Sequence, residues 1–257
     1  MSAYLTAFTT SARRGLSNRA PLAARVGMYL VILGVLSALW KAATEAQGAI
    51  AGYDYPSMLW YLTVAEAAVI SIDPRLIEYV GSDIGDGSVT VEMLRPISVV
   101  GFRIAATLGE CMARFGLAIV AGAAFTWFQV GAPPNPGAAL LALPAMLLAL
   151  STNLASQYCF AAMAFWVQDS KAAWFLFHKL VFLLGGMLLP LELMPRQLEA
   201  VARVLPFQAM AYAPARLAAG HFEPLLLLVQ GAWLVTLLAG AVYLFALGQR
   251  RLVVVGA

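Results

Sequence analysis

The chain has 257 residues, 62% of them hydrophobic and 11% charged, with a formal net charge of +3. Soluble domains average roughly 45–50% apolar and about 25% charged residues, so this composition excludes a disordered chain and an ordinary soluble enzyme. The small excess of 16 basic over 13 acidic residues also excludes a phosphate-tracking nucleic-acid surface. A membrane protein fits, and with ~20 apolar residues per span the length accommodates about six spans. The expected fold is therefore an all-α membrane protein, a single transmembrane domain over residues 1–257.

In chain order, residues 1–20 do not read as a span. Leu5, Phe8, Ala12 and Leu16 recur at helical spacing with Thr9, Arg13, Arg14 and Ser17 between them. That pattern predicts an interfacial amphipathic helix. Arg13-Arg14 is not followed by the apolar region a cleaved signal needs, since Asn18, Arg19, Pro21 and Arg25 interrupt it. The first span is expected over 21–43 and the second over 55–72, the latter carrying Glu66. A polar stretch, 73–98, follows. The third span covers 99–130 and includes Arg103, Glu110 and Arg114. Pro133, Pro134, Pro136 and Gly137 make a turn before the fourth span, 138–167. Gln168 to Lys171 break the apolar run before the fifth, 172–189. The sixth is expected over 224–247.

Basic residues set the orientation. With the N-terminus in the cytoplasm, ten lie on inner segments: Arg13, Arg14, Arg19, Arg25, Arg75, Arg95, Arg103, Lys171, Arg250 and Arg251. Four lie on outer ones: Lys41, Arg196, Arg203 and Arg216. Both termini are expected inside.

Two segments break the simple pattern. In the 73–98 loop, Gly85, Asp86 and Gly87 form a turn, Ser88 is a candidate N-cap, and a short helix stops at Pro96. Such a helix in the main cytoplasmic loop suits docking on a partner; a loop packed on its own spans is the alternative. In 190–223, Pro190, Pro195, Pro206 and Pro214 leave pieces too short to cross ~30 Å of hydrocarbon and too apolar for a mobile loop. Re-entrant or interfacial helices on the outer side are expected there.

These segments resemble a known family. Gly87-Ser88-Val89, then Met93-Leu94, then Pro96 are similar to the Gly-Thr-Leu-Glu…Leu-Leu…Pro signature of type-2 ABC exporter permeases. Gly185-Gly186, Pro190, Pro195, Leu205-Pro206-Phe207, Pro214 and Gly220 resemble the family's second run of Gly and Pro stops. Thr90 stands where many members have an acid and Glu92 where many have Leu, which resembles the short subgroup found as paired half-permeases. The resemblance implies a coupling helix that docks on an ATPase, here Gly87, Ser88, Val89, Glu92, Met93, Leu94, Arg95 and Pro96. It also implies outer re-entrant helices before the last span and a dimer of six-span subunits, identical or different. A pair of cytoplasmic ATPases completes the assembly, in a bacterial plasma membrane with its lipids.

No Gly-Lys-[Ser/Thr] occurs in the sequence, so ATP and Mg are expected on the partner and no cofactor in this chain. No catalytic set or metal spacing is evident around His178, His221, Cys111 or Cys159. Ionisable residues inside spans are functional candidates. Glu110 and Arg114 can pair at four-residue spacing, and Glu66 has no partner on its own helix and could reach Arg114 or Lys179. These four form a candidate charge network. Glu66, or the Glu110–Arg114 pair, also carries the alternative function, an ion-coupled secondary transporter. The expected cargo of an exporter of this kind is hydrophobic or amphipathic.

Overall fold

The computed structural model describes residues 3–93, 97–167 and 170–255. It is a helical bundle, with no strand among the described residues beyond an isolated Ile50–Tyr53 bridge. The helices are α1 (Ala3–Ser17), α2 (Arg19–Gln47), α3 (Tyr55–Ser71), α4 (Leu76–Gly85), α5 (Val89–Met93), α6 (Val99–Val130), α7 (Pro136–Ala161), α8 (Ser170–Leu184), α9 (Arg196–Val204), α10 (Tyr212–Ala218) and α11 (Leu225–Val255).

Among the described residues, four helical stretches are long and apolar enough to cross a membrane: Arg19–Gln47, Val99–Val130, Pro136–Phe165 and Leu225–Arg250. The expected second and fifth spans are helices too, but shorter. α3 has 17 residues and α8 has 15, or roughly 26 Å and 22 Å at 1.5 Å per residue. α3 is short because local signals bound it. Asp54 caps its start by accepting from the Ser57 N–H at 3.0 Å, and Pro56 occupies its first turn. Ile72 adopts extended backbone at its end, and Asp73-Pro74 follow.

α3 is also the centre of the bundle. Met58 through Ala68 are all buried, with α2, α6 and α10 packed around them. Hydroxyl groups on this axis are paired inside the protein, as a water-free interior requires. The Tyr29 hydroxyl donates to the Thr63 carbonyl at 2.8 Å, and the Thr63 and Thr126 hydroxyls lie 2.5 Å apart. Gly122 makes this possible, because a Cβ there would collide with the Tyr29 hydroxyl.

The amphipathic N-terminal helix packs lengthwise on α6. Tyr4 meets Ser98 and Gly101, Phe8 meets Gly109, and Gly15 meets Glu110 and Ala113. Gly109 lets the backbones touch, since a Cβ would strike the Phe8 carbonyl. α6 is 32 residues long, on the order of 48 Å, so it exceeds a ~30 Å hydrocarbon core and offers α1 a support.

Residues 190–223 fold into short pieces. A 3-10 turn at Leu191–Leu193 precedes α9, and another at Pro206–Ala209 precedes α10. Pro195 and Leu205 stand at the breaks in extended conformation. α8 ends at Gly185-Gly186; Gly186 has φ +67°, and the Tyr212 N–H donates to the Gly185 carbonyl at 3.1 Å. Nearly every residue from Pro206 to Ala219 is buried, against α3 and α7. Gln230 of α11 secures the segment by donating to both Ala145 and Ala209 carbonyls, at 3.0 and 2.9 Å.

Candidate coupling segment and a cavity between the helices

α4 and α5 form a short helical hairpin. α4 is amphipathic: Ile77, Val80, Gly81 and Ile84 are buried against the end of α7 and the start of α8. Gly81 admits Ser170, whose side chain a Cβ would overlap. Gly87, at φ +77°, makes the turn. Ser88 does not cap α5 with its side chain as expected; its hydroxyl donates to the Asp83 carbonyl at 3.2 Å, back toward α4. The Asp86 carboxylate accepts the Ser88 N–H at 2.9 Å, which holds its pKa below the ordinary carboxyl value.

The hairpin is tied to α6 by one arginine. Arg103 donates Nε and Nη2 to the two oxygens of Glu92, at 2.7 and 2.9 Å, and Nη1 to Asp83 at 2.6 Å. A guanidinium fork suits this geometry, with two bonds to one carboxylate and a third to another. Its side chain is 17% exposed. The hairpin therefore contacts α6 through charge and α7–α8 through packing.

Of the expected docking residues, Val89 is fully buried and anchors the hairpin inward, and Glu92 is committed to Arg103. Ser88 is exposed. Met93 ends α5; Leu94, Arg95 and Pro96 lie outside the described residues. The outward face is made by Tyr79, 47% exposed, Val91, 69% exposed, and the exposed Asp86 and Thr90.

Of the four charges expected to form one network, Glu110 and Arg114 meet and Glu66 and Lys179 stand apart. Arg114 pairs with Glu110 at 2.9 Å and reaches the Ser71 carbonyl at 3.5 Å. Glu66 is 5% exposed, and its Oε1 has no hydrogen-bond partner among the described residues. Its ion pair with Arg114 or Lys179 is not formed. The Lys179 ammonium lies 5.2 Å from the centre of the Phe175 ring, a cation–π contact, and it lines a cavity.

That cavity has a volume of about 460 Å³ and lies between α2, α3, α7 and α8, from Arg25 and Ile72 to Met187 and Met210. Its wall is mostly apolar. Asn153 and Gln157 supply polar groups, the Gln157 amide donating to Asn153 Oδ1 at 2.7 Å.

A second charged knot joins the short pieces of 190–223. Glu192 accepts from Arg203, Arg216 and Tyr212, and Arg216 also pairs with Glu223 at 2.9 Å. His221 packs on Tyr53 with ring centres 4.8 Å apart. Burial, and then the nearby Arg216 charge, push its pKa below the ordinary 6.5. In the sequence Arg103 and Arg216 read as orientation signals alone, and the pairings of Arg103, Arg216 and Gln230 come from the fold. A lone glutamine in the otherwise apolar 225–247 run was the available signal.

Long apolar helices around a buried polar axis, with a charged hairpin at one end and buried short helices before the last span, define a multi-pass membrane protein. The family model described as ABC-2 family transporter protein matches residues 30–256. The chain belongs to that family: it is a membrane permease, a transport subunit without its own ATPase site, whose family works with an ABC ATPase. No curated protein and no solved structure matches it.

Proposed function

We propose that this chain is the membrane half of an ATP-driven exporter in a bacterial plasma membrane. It pairs with a second permease subunit, identical or different, and two cytoplasmic ATPases that carry ATP and Mg. All six apolar helices span, the shorter α3 and α8 with the help of their neighbours, and both termini face the cytoplasm. Residues 1–257 act as one permease domain, with α1 at the inner interface and 190–223 as an outer re-entrant segment.

The observation that carries the reading is the Arg103 clamp. A hairpin that presents Tyr79 and Val91 outward while fixed to α6, α7 and α8 can pass a push from an ATPase to the spans as a rigid body. Closure of the ATPases on ATP would shift the hairpin, and α6 would follow through Arg103. Ten basic residues on the hairpin's side support its cytoplasmic placement. Met93, Leu94, Arg95 and Pro96 belong to the same docking segment by the family resemblance.

The test is Tyr79→Asp together with Val91→Asp. Both side chains are exposed, so the fold should survive. The ATPase should no longer co-purify with the permease. Unchanged assembly and unchanged ATP-driven transport would remove the coupling assignment.

A further inference from the structure

The cavity between α2, α3, α7 and α8 is built for a particular chemistry. Arg25, His178 and Lys179 line it, and no acidic residue does among the described lining residues. Neither cation at its wall is used in an ion pair among the described residues: the Arg25 guanidinium touches the Ile70 carbonyl at 3.3 Å, and Lys179 lies over Phe175. Lys179 is exposed at the cavity rim and Arg25 is half-buried, so an anion entering there meets two unneutralised charges beside an apolar, low-dielectric wall, where the attraction exceeds that in bulk water. The rest of the wall excludes a free inorganic ion as the natural occupant, because methionines, phenylalanines and aliphatic side chains offer nothing to its hydration shell.

A second observation points to the ligand independently. Gln157 is 1% exposed and lines the cavity. Its amide nitrogen is used on Asn153, but its Oε1 has no hydrogen-bond partner among the described residues. Asn153 cannot relieve it, since its own amide nitrogen is turned to the Met210 sulfur at 3.6 Å. A buried acceptor left without a donor is costly, and a ligand hydroxyl or amide N–H in the cavity would satisfy it.

We propose that this cavity binds an anionic amphiphile: an apolar tail along the methionine and phenylalanine wall, an acidic group at Arg25 and Lys179, and a hydroxyl or amide donor facing Gln157 Oε1. Its role as cargo rests on the exporter reading above; its binding does not.

The experiment uses the full chain in nanodiscs, without any ATPase, and radiolabelled 1-oleoyl lysophosphatidic acid, which carries a phosphate, one free hydroxyl and one tail. Saturable binding is expected, undisplaced by inorganic phosphate or by dodecyltrimethylammonium. The 2-O-methyl ether of the same lipid should bind several-fold more weakly, and Gln157→Met should erase that preference. Lys179→Gln should weaken binding about tenfold, the loss of one charge-assisted contact. Met28 is 61% exposed at the cavity wall, so Met28→Trp should block entry without disturbing the fold.

Displacement by the cationic detergent would overturn the anionic class, and displacement by phosphate would overturn the amphiphile. Binding unchanged in both Lys179→Gln and Met28→Trp would place the lipid elsewhere. Failure here with ATPase docking intact would leave the exporter reading standing. Loss of docking with binding intact would do the reverse.

Discussion

Replacing Arg103 by Gln tests the mechanical core of this protein. The change removes three charge-assisted hydrogen bonds, two to Glu92 and one to Asp83. A fully buried pair broken on one side costs about 3–5 kcal/mol, and an exposed one about 0.2–1 kcal/mol. Here the guanidinium is 17% exposed and the carboxylates 37% and 34% exposed. Solvent screens the acids substantially, so about 2 kcal/mol is the reasonable figure for the cluster. At ~1.4 kcal/mol per factor of ten, the hairpin's opening equilibrium shifts about 30-fold. The assay is amide hydrogen exchange over α4 and α5, with ATPase activity and transport measured in parallel. Exchange should accelerate by about that factor, ATP hydrolysis should continue, and transport per ATP should fall. Arg103→Lys keeps the charge but loses the fork, and should fall between the two. Exchange changed less than about threefold, with coupling intact, would refute the clamp.

Three further outcomes follow from other contacts. Gly109→Val puts a branched side chain against the Phe8 backbone, which cannot yield as a flexible side chain would; α1 should detach at a cost of about 1–3 kcal/mol, read as faster proteolysis within 3–17. Gln230→Met keeps the volume but releases the buried Ala145 and Ala209 carbonyls, and should lower stability by about 1–3 kcal/mol in a thermal melt in detergent. His221 has a folded pKa below its ordinary 6.5, so the unfolded chain binds the extra proton first. Its contribution to stability is complete above about pH 6.5 and is lost as pH falls toward the folded pKa. The melting temperature should drop on acidification through that window, and His221→Phe, which keeps a ring against Tyr53, should flatten the slope. Arg216, Glu192, Glu223 and Asp54 act on the same imidazole, so the comparison is made with those residues unchanged.

The long helices were legible because their signals are local. The predicted 99–130 span and α6 share both bounds, set by the Ser98 hydroxyl, which accepts the Gly101 N–H, and by Gly131 at φ +79°. The breaks at Gly185-Gly186, Pro195 and Pro206 were equally readable, since each follows from what those residues permit the backbone to do. The Glu110–Arg114 pair lies within one helix and follows from spacing.

What the tertiary structure alone decided concerns partners distant in sequence. Pattern could not say that Glu66 faces a buried site without Arg114 or Lys179, because helix rotation about its axis is set by packing on neighbours. It could not show that Asp83 and Glu92, two residues of an acidic-looking loop, close on Arg103 from 20 and 11 positions away. Nor could it place Arg25, Gln157 and Lys179 around one cavity, since they come from three helices. The sequence by itself determined which segments are apolar, where each must stop and where the charges fall along the chain, all properties of neighbouring residues. The pairing of charges and the shape of the space between helices depend on which faces meet, and only the packed bundle decides that.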